Sequence, residues 1–442
     1  MSRFILGQQK PDKSDPVLER TSGYALPIDT QNAVSRKLYD RIKPEAVDQL
    51  DRPALLQMIE GAVSDIADED KLKLSLDQQR ALASMLADDM KGIGPLQRLL
   101  SENDITDIMV NGPNRVFIER RGRLQLTDIR FRDDEHVRSI AQRIARNIGR
   151  RVDDANPICD ARLPDGSRVC IIIPPIAIDG TLISIRKFPS QSIGLDELTT
   201  LNSVSPAMRD FLQLAAKSRL NIIVSGGTSS GKTTLLNSLS QHIASHESIV
   251  TIEDSAELQL KQPNVRRLET RPSIADGMRP ITQRDLVIAA LRMRPDRIIL
   301  GEVRGPEALE MLSAFNTGHE GSMSTLHANT ARDALSRLEN MVMMAVELPI
   351  KAIRQQISSA VDLVVQAERM PDGLRRVTEI SEVTGIEGDV ISMQQLFVYE
   401  VESLKSGSII GRHRTMPASL ASAEKFRRHG TLEAVRNIFA KG

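Results

Sequence analysis

The chain has 442 residues, which is more than one ordinary hydrophobic core organises, so two or three domains are expected. Lys plus Arg and Asp plus Glu number 58 each, and this balance gives no overall electrostatic attraction to nucleic acid or to a membrane. Aromatic residues make up 3% and tryptophan is absent, which argues against a surface for stacking bases.

The N-terminus lacks the long apolar stretch of a signal peptide. The longest apolar run, residues 169–178, is broken by Pro174 and Pro175 and is shorter than the roughly 20 residues of a membrane span. We therefore expect a cytoplasmic protein that reaches a membrane only through partners.

The N-terminal third changes character twice. Residues 1–30 are polar and without periodicity, which predicts a disordered arm. Apolar residues at helical spacing then predict a small helical bundle over 31–91; one stripe contains Leu55, Leu56, Ile59, Val63 and Ile66.

The next part mixes strand and helix patterns. Short β runs at 108–112 and 115–119, a helix around 134–148 and two strands near 168–173 and 182–187 predict an α+β domain over 92–190. Residues 191–204, rich in Ser, Leu and Thr, are predicted to form a linker that acts as a hinge.

From residue 205 onward, helices alternate with apolar strands at 220–224, 249–252 and 297–300. This order predicts an α/β domain over 205–442, with a parallel sheet covered on both faces. The segment from about 402 to 442 is mixed and basic and carries no motif; it is read as a helical tail that is either solvated or in contact with a platform protein.

A glycine-rich loop lies between the strand at 220–224 and the next helix. Its backbone amides would bind the β-phosphate of ATP, Lys232 would reach the β- and γ-phosphates, and Thr233 would ligate Mg²⁺. The alternative is a chance glycine-rich turn, which the strand and helix on either side disfavour. The predicted nucleotide-binding residues are Gly226, Gly227, Thr228, Ser229, Ser230, Gly231, Lys232, Thr233 and Thr234.

Two acidic residues follow the strands after this loop. Glu253 and Glu302 each end a strand, and the carboxyl ends of parallel strands face the ligand crevice. Either could be a solvated carboxylate, but together they favour a catalytic site. Gly301 stands where an aspartate is usual, so Glu302 would either hold the metal through water or act as the base.

Two histidines follow. His319 lies just beyond a predicted helix end and could simply cap it, whereas His327 at a strand end is a candidate sensor of the γ-phosphate.

These segments together resemble the secretion and type IV pilus motor ATPases, in which they are called Walker A, Asp box, Walker B and His box. Residues 94–96, 105–112 and 163–168 narrow the resemblance to the tight-adherence (Flp) pilus assembly ATPases, with the type IV conjugation ATPases as close relatives. Ser255, where some subfamilies have proline, points away from the type II motors. Because only Cys159 and Cys170 are present, the tetracysteine zinc module of some members is not expected.

The resemblance implies a RecA-like P-loop ATPase domain, an N-terminal α+β (PAS-like) domain and a homohexameric ring that binds each nucleotide between the two domains. It also implies that Arg168 and Arg186 reach the phosphates from the smaller domain. Arg292 and Arg294 resemble a family arginine segment and are candidates for bridging subunits.

The function implied is a motor that hydrolyses ATP with Mg²⁺ and drives pilus assembly at the inner membrane, peripherally bound through platform membrane proteins; extension and retraction are both left open. Glu302 is expected to be the base and Glu253 to arrange Mg²⁺ or the attacking water, although the two roles could be exchanged. The alternatives are a conjugation-type secretion ATPase that exports protein or DNA, and a scaffold that binds ATP with little turnover. A nucleic-acid translocase is disfavoured by the neutral charge and the few aromatics.

Overall fold

A computed structural model describes residues 28–42, 47, 50–120, 122–188, 193–271, 279–405 and 408–441. Nearly all of the predicted disordered arm lies outside these residues, and helix α1 (Ile28–Arg41) begins within its last three positions. The chain divides into two compact units, one ending at Lys187 and the other beginning at Phe188, with residues 122 and 123 counted in the second.

After α1, the first unit continues with two helices of the predicted bundle, α2 (Arg52–Glu69) and α3 (Leu76–Lys91), and with α4 (Leu96–Ser101), which the sequence did not predict. α2 begins at Asp51, whose carboxylate accepts a hydrogen bond from the Ala54 amide at 2.9 Å. α3 begins with a capping box formed by Ser75 and Gln78. The predicted apolar stripe of α2 packs against α1 and α3, and its fully buried members are Leu55, Ile59, Val63 and Ile66.

The rest of the first unit is a six-stranded sheet in the order β3-β2-β1-β6-β5-β4, with helix α5 (Asp134–Asn147). The strands are β1 (Ile105–Asn111), β2 (Val116–Arg120), β3 (Arg123–Leu126), β4 (Ile158–Arg162), β5 (Arg168–Ile172) and β6 (Leu182–Arg186). The sequence predicted four of these strands and the helix, and it missed the short strands β3 and β4. Cys159 and Cys170 lie on neighbouring strands and are both free thiols.

The second unit contains a nine-stranded sheet in the order β15-β14-β13-β12-β7-β11-β10-β8-β9. Its strands are β7 (Ile222–Gly226), β8 (Ile249–Glu253), β9 (Val265–Glu269), β10 (Arg297–Leu300), β11 (Met323–Leu326), β12 (Leu363–Arg369), β13 (Arg375–Glu387), β14 (Val390–Lys405) and β15 (Ser408–Thr415). The helices are α6 (Leu195–Thr200), α7 (Pro206–Lys217), α8 (Lys232–Ser240), α9 (Gln283–Ala290), α10 (Glu307–Asn316), α11 (Ala331–Ala345), α12 (Ile350–Ala360), α13 (Ala423–Arg428) and α14 (Leu432–Lys441).

The strands from β12 to β9 are parallel to one another, and both faces of this part are covered as predicted. Ile223, Ile298 and Val364 are buried on one face, whereas Ile222, Ile299 and Leu363 are buried in a second cluster on the other. Alternate residues of each strand therefore enter two different cores.

Two predictions for this unit are wrong. The sheet is not wholly parallel, because β13, β14 and β15 pair antiparallel and continue it on the β12 side. The predicted tail from about 402 accordingly begins with the end of β14 and with β15, and its helices among the described residues are α13 and α14.

The predicted linker, residues 191–204, is also wrong over most of its length. Its first two residues lie outside the described part of the chain, but α6 is a helix within it. Leu195, Leu198 and Val204 are buried in the core of the second unit. The leucines at i and i+3 are helical spacing, and burial of that apolar side outweighs the loop character that Ser and Thr suggested.

Among the described residues, no helix is both long enough and apolar enough to cross a bilayer.

Candidate active site

The predicted phosphate-binding loop joins β7, the central strand of the sheet, to α8. A Cβ on Gly226 would lie 2.2 Å from the Ala367 carbonyl oxygen of β12, so only glycine fits there. Gly231 and Ser229 have left-handed backbone conformations, with φ values of +95° and +58°. The loop is exposed at Gly227, Thr228 and Ser229, whereas Ser230 is buried.

The ammonium group of Lys232 lies over this loop from the first residue of α8. Its Nζ donates hydrogen bonds to the carbonyl oxygens of Gly226 at 3.1 Å and Gly227 at 2.8 Å. It also lies 3.4 Å from each ring nitrogen of His327. Burial lowers the pKa of Lys232, while the negative charge of Glu302 opposes that shift. A buried cation thus stands where phosphate oxygens would enter.

Glu302, the second residue after β10, is brought next to His327, the first residue after β11. His327 Nε2 is 3.0 Å from Glu302 Oε1. Burial, and then the charge of Lys232, lower the pKa of His327, which favours a neutral imidazole. Lys232, His327 and Glu302 are therefore in contact in that order, as the positions at the strand ends predicted.

Arg304 is a site residue that the sequence did not single out. Its Nη2 donates to Glu302 Oε2 at 2.6 Å, and Nη1 lies 3.6 Å from Asp254 Oδ2. The available signal was its place two residues after Glu302 at the strand end. Arg304 fixes the second oxygen of Glu302 and links it to the residue that follows Glu253.

Glu253 is almost fully buried at the end of β8, with 3% of its surface exposed. Its Oε1 accepts hydrogen bonds from the amides of Glu257 at 2.8 Å and Leu258 at 2.9 Å. Its Oε2 has no hydrogen-bond partner among the described residues. Burial raises the pKa of Glu253 to about 7, although the two amides act in the opposite direction. Glu253 therefore offers one uncommitted oxygen and exchanges a proton near neutral pH.

Gly301 replaces the usual aspartate because the side chain of Glu253 occupies the space next to it. A Cβ on Gly301 would lie 2.9 Å from Glu253 Cγ and 3.4 Å from its Oε1. The Gly301 carbonyl is in turn held by the Thr325 hydroxyl at 2.6 Å. The carboxylate next to this position therefore belongs to Glu253 of the neighbouring strand.

The oxygen groups around the loop fit a magnesium ion, which prefers oxygen ligands and carries few of them from protein. The uncommitted Oε2 of Glu253 is an orphaned buried acceptor of the kind that a cation satisfies. Thr233 is half-buried in the first turn of α8, beside Lys232, and Thr234 follows it.

The two predicted phosphate-contacting arginines lie in the first unit. Arg168 and Arg186 are directly opposite each other on β5 and β6, so their side chains share one face of that sheet. Arg186 Nε donates to Asp107 Oδ1 at 3.0 Å, and 58% of the Arg186 side chain is exposed. The two arginines are thus neighbours on the six-stranded sheet of the first unit.

The other residues singled out in the sequence, His319, Arg292 and Arg294, lie near the ends of helices. His319 Nδ1 lies 3.3 Å from the carbonyl oxygen of Ala314 near the end of α10, which is the contact expected of a residue that caps this helix. Arg292 lies in a short 3₁₀ helix (Leu291–Met293), and Arg294 follows it with a left-handed φ of +52°.

Comparison with known proteins decides the family. A family model described as "Type II/IV secretion system protein" matches residues 89–385, which include the loop, both glutamates and both histidines. The chain belongs to this family. The tight-adherence branch within it is a finer assignment that the match does not make.

Several curated relatives of this family member are similar over most of their length. It is 37% identical over 312 residues to a putative conjugal transfer protein of Mycobacterium tuberculosis, covering 69% of this chain and 88% of the relative. It is 37% identical over 290 residues to the conjugal transfer protein TrbB of Rhizobium radiobacter, covering 65% and 86%. It is 36% identical over 309 residues to the type IV secretion system protein PtlH of Bordetella pertussis, covering 64% and 91%.

Among solved structures, the VirB11 ATPase of the Brucella suis type IV secretion system is 30% identical; the match covers 65% of this chain and 94% of that one, with a TM-score of 0.36.

Proposed function

We propose that this protein is a P-loop motor ATPase with a RecA-like second unit, which hydrolyses ATP to drive a secretion or pilus machine. The observation that carries the proposal is the contact series from Lys232 through His327 to Glu302, set against the phosphate-binding loop. A scaffold that only binds nucleotide has no need of an aligned carboxylate at that place.

In this mechanism the loop amides and Lys232 hold the β- and γ-phosphates of ATP. Glu302 accepts the proton of the attacking water, and His327 and Arg304 keep its two oxygens in place. Glu253 arranges Mg²⁺ or the attacking water through its uncommitted oxygen; its pKa near 7 also makes it the alternative base. Mg²⁺, held by Thr233 and Glu253, would neutralise charge on the phosphates.

Charge on the transferred phosphoryl group still needs a cation on its far side. Arg168 and Arg186, paired on one face of the first unit's sheet, are proposed to supply it. The protein is proposed to act as a homohexameric ring, and the sheet and helix of the first unit are proposed to form its PAS-like domain.

For the cargo, the segments at 105–112 and 163–168 favour assembly of a tight-adherence (Flp) pilus at the inner membrane, through platform membrane proteins. The second candidate is conjugation-type secretion of protein or DNA, which the names of the conjugal transfer and type IV secretion relatives favour. Deletion of the gene, followed by electron microscopy of surface pili and a mating assay in the same strain, separates the two. Loss of pili with normal transfer supports the first, and the reverse supports the second.

The enzymatic proposal is tested by the rate of phosphate release from ATP by the purified chain. Glu302→Gln keeps the shape of the residue and removes its charge, so we expect kcat to fall by about 10²–10⁴-fold while nucleotide still binds. Lys232→Ala should abolish binding as well. Glu424→Gln, at an exposed glutamate of α13, is the matched control and should leave the rate unchanged. A wild-type rate in Glu302→Gln would remove Glu302 from the mechanism, and a chain that binds ATP without turnover would be a scaffold.

A further inference from the structure

The phosphate-binding loop is also contacted from β13, on the side away from His327. β12 runs parallel to β7 with Ala367 opposite Gly226, and the turn after β12 brings the chain back at Arg375. The Nε of Arg375 donates a hydrogen bond to the carbonyl oxygen of Ser229 at 2.9 Å. Its Cδ lies 3.3 Å from the place of a Cβ on Gly231. Arg375 therefore packs against the second half of the loop.

The turn that carries Arg375 is held by a buried ion pair. Arg376 donates two hydrogen bonds to Asp372, at 3.0 and 2.9 Å, and less than a tenth of either side chain is exposed. Asp372 also accepts from the amides of Leu374 at 3.0 Å and Ile409 at 3.3 Å. The backbone at Arg375 is thus fixed independently of the phosphate-binding loop.

The contact matters because of the geometry of one peptide group. Ser229 has a left-handed φ of +58°, which is unfavourable for a residue with a side chain. The Ser229 carbonyl and the Ser230 N–H belong to the same planar trans peptide, so they point in opposite directions. When Arg375 holds that carbonyl on the outside, the Ser230 N–H is aimed to the opposite side, as anion binding by such a loop requires.

We propose that Arg375 is a positioning residue for polyphosphate binding: it holds the Ser229 carbonyl and thereby orients the Ser230 amide toward the diphosphate part of a nucleotide. The proposal rests on the proposed function, because it concerns the same site. The ligand class is a nucleoside polyphosphate, and inorganic pyrophosphate is the minimal probe, since it engages the loop without a base or a γ-phosphate to hydrolyse.

The test compares Arg375→Ala, Arg375→Lys and Arg412→Ala in the full chain. Arg412 is an exposed arginine of β15 paired with Glu402 at the surface, and it serves as the matched control. Calorimetry gives the Kd for pyrophosphate, and steady-state assays give KM and kcat for ATP. We expect Arg375→Ala to weaken pyrophosphate binding and raise KM by about 5- to 30-fold, as for one charge-assisted hydrogen bond, with kcat within about threefold. Arg412→Ala should match wild type.

Arg375→Lys separates the hydrogen bond from the charge. Lysine keeps the positive charge but has no N–H at the Nε position, so it should resemble Arg375→Ala. Asp372→Asn removes the support of the turn without touching the loop and should weaken pyrophosphate binding in the same direction. If circular dichroism shows that Arg375→Ala does not fold, the Asp372→Asn variant replaces it in the test.

Three results would overturn the assignment: unchanged pyrophosphate affinity in Arg375→Ala, full affinity in Arg375→Lys, or a fall in kcat alone. The proposed function fails separately, if wild type binds pyrophosphate and ATP but releases no phosphate. In that event the pyrophosphate arm still decides the role of Arg375.

Discussion

Glu253 and Gly301 share one space: the Cγ of the glutamate lies 2.9 Å from where a Cβ on the glycine would stand. At the carboxyl ends of the neighbouring parallel strands β8 and β10 there is thus space for only one acidic side chain. The side chain of Glu253 fills this space, and position 301 has a glycine where an aspartate is usual.

Gly301→Ala and Gly301→Asp should therefore both displace Glu253. We expect a drop in kcat of about 10- to 100-fold, and a loss of roughly 1–3 kcal/mol in stability from overpacking. The aspartate should not compensate, although it restores the more usual residue. Phosphate-release assays and thermal melts test this, with Gly61→Ala as control, because a Cβ there meets nothing within 4 Å. Full activity in Gly301→Asp would mean that Glu253 is dispensable.

Burial of Glu253 should make stability depend on pH. Its pKa is raised from the model-compound value of 4.5 to about 7, so the folded state favours the protonated form. The stabilisation is complete below about 4.5 and is lost as pH rises through 7, a change of at most about 3 kcal/mol.

Glu253→Gln removes that titration, so its Tm relative to wild type should be higher by several degrees at pH 8 than at pH 5. Glu424→Gln, at an exposed position, is the control and should show no such difference. An equal Tm offset at both pH values would show that Glu253 remains charged in the folded protein.

The charge of Lys232 should be measurable at His327. It is one of the two main causes that lower the imidazole pKa, after burial. Lys232→Met removes the charge and keeps the stem, so the pKa of His327 should rise. NMR titration of the imidazole C–H signals checks this, with exposed Lys351→Met as the control. A fall in pKa, or no change, would contradict the contact between the two residues.

Glu382 should be essential for the C-terminal helices. This buried carboxylate of β13 accepts hydrogen bonds from Gln394 at 2.6 Å, the Ala421 amide at 2.9 Å and the Ser422 amide at 2.8 Å. Glu382→Ala leaves the amides of Ala421 and Ser422 without this acceptor and should destabilise the second unit by about 3–5 kcal/mol.

Limited proteolysis should then cut near residues 416–422 before the rest of the unit unfolds. Exposed Glu402→Ala should melt and digest like wild type. Wild-type resistance in Glu382→Ala would show that the helices are held by packing alone.

Local pattern was enough to predict the centre of the sheet. The strands at 249–252 and 297–300 are short apolar runs that are buried on both faces, and a glycine-rich loop between strand and helix has few other readings. Glu302 and His327 were each predicted at the end of a strand, and the structure places them 3.0 Å apart because those strands are neighbours.

Features that depend on pairing across the sheet were beyond that pattern. β13 and most of β14 were not predicted, and the end of β14 together with β15 was read as a helical tail, because antiparallel extension is decided by partners distant in sequence. The contacts of Arg304 with Glu302 and of Arg375 with Ser229 likewise join side chains whose direction only the tertiary structure defines. The catalytic assignments of Glu302, Glu253, His327, Arg168 and Arg186 stay predictions.

The place of β7 as the fifth of nine strands has a mechanical consequence. When a sheet bends or changes its twist, the middle strand moves least and displacement grows toward the edges. Counted from β7 toward β9, His327 lies at the end of the first strand (β11), Glu302 at the end of the second (β10) and Glu253 at the end of the third (β8). Bending or twisting of the sheet would therefore change the distance from Lys232 to Glu253 most and the distance from Lys232 to His327 least.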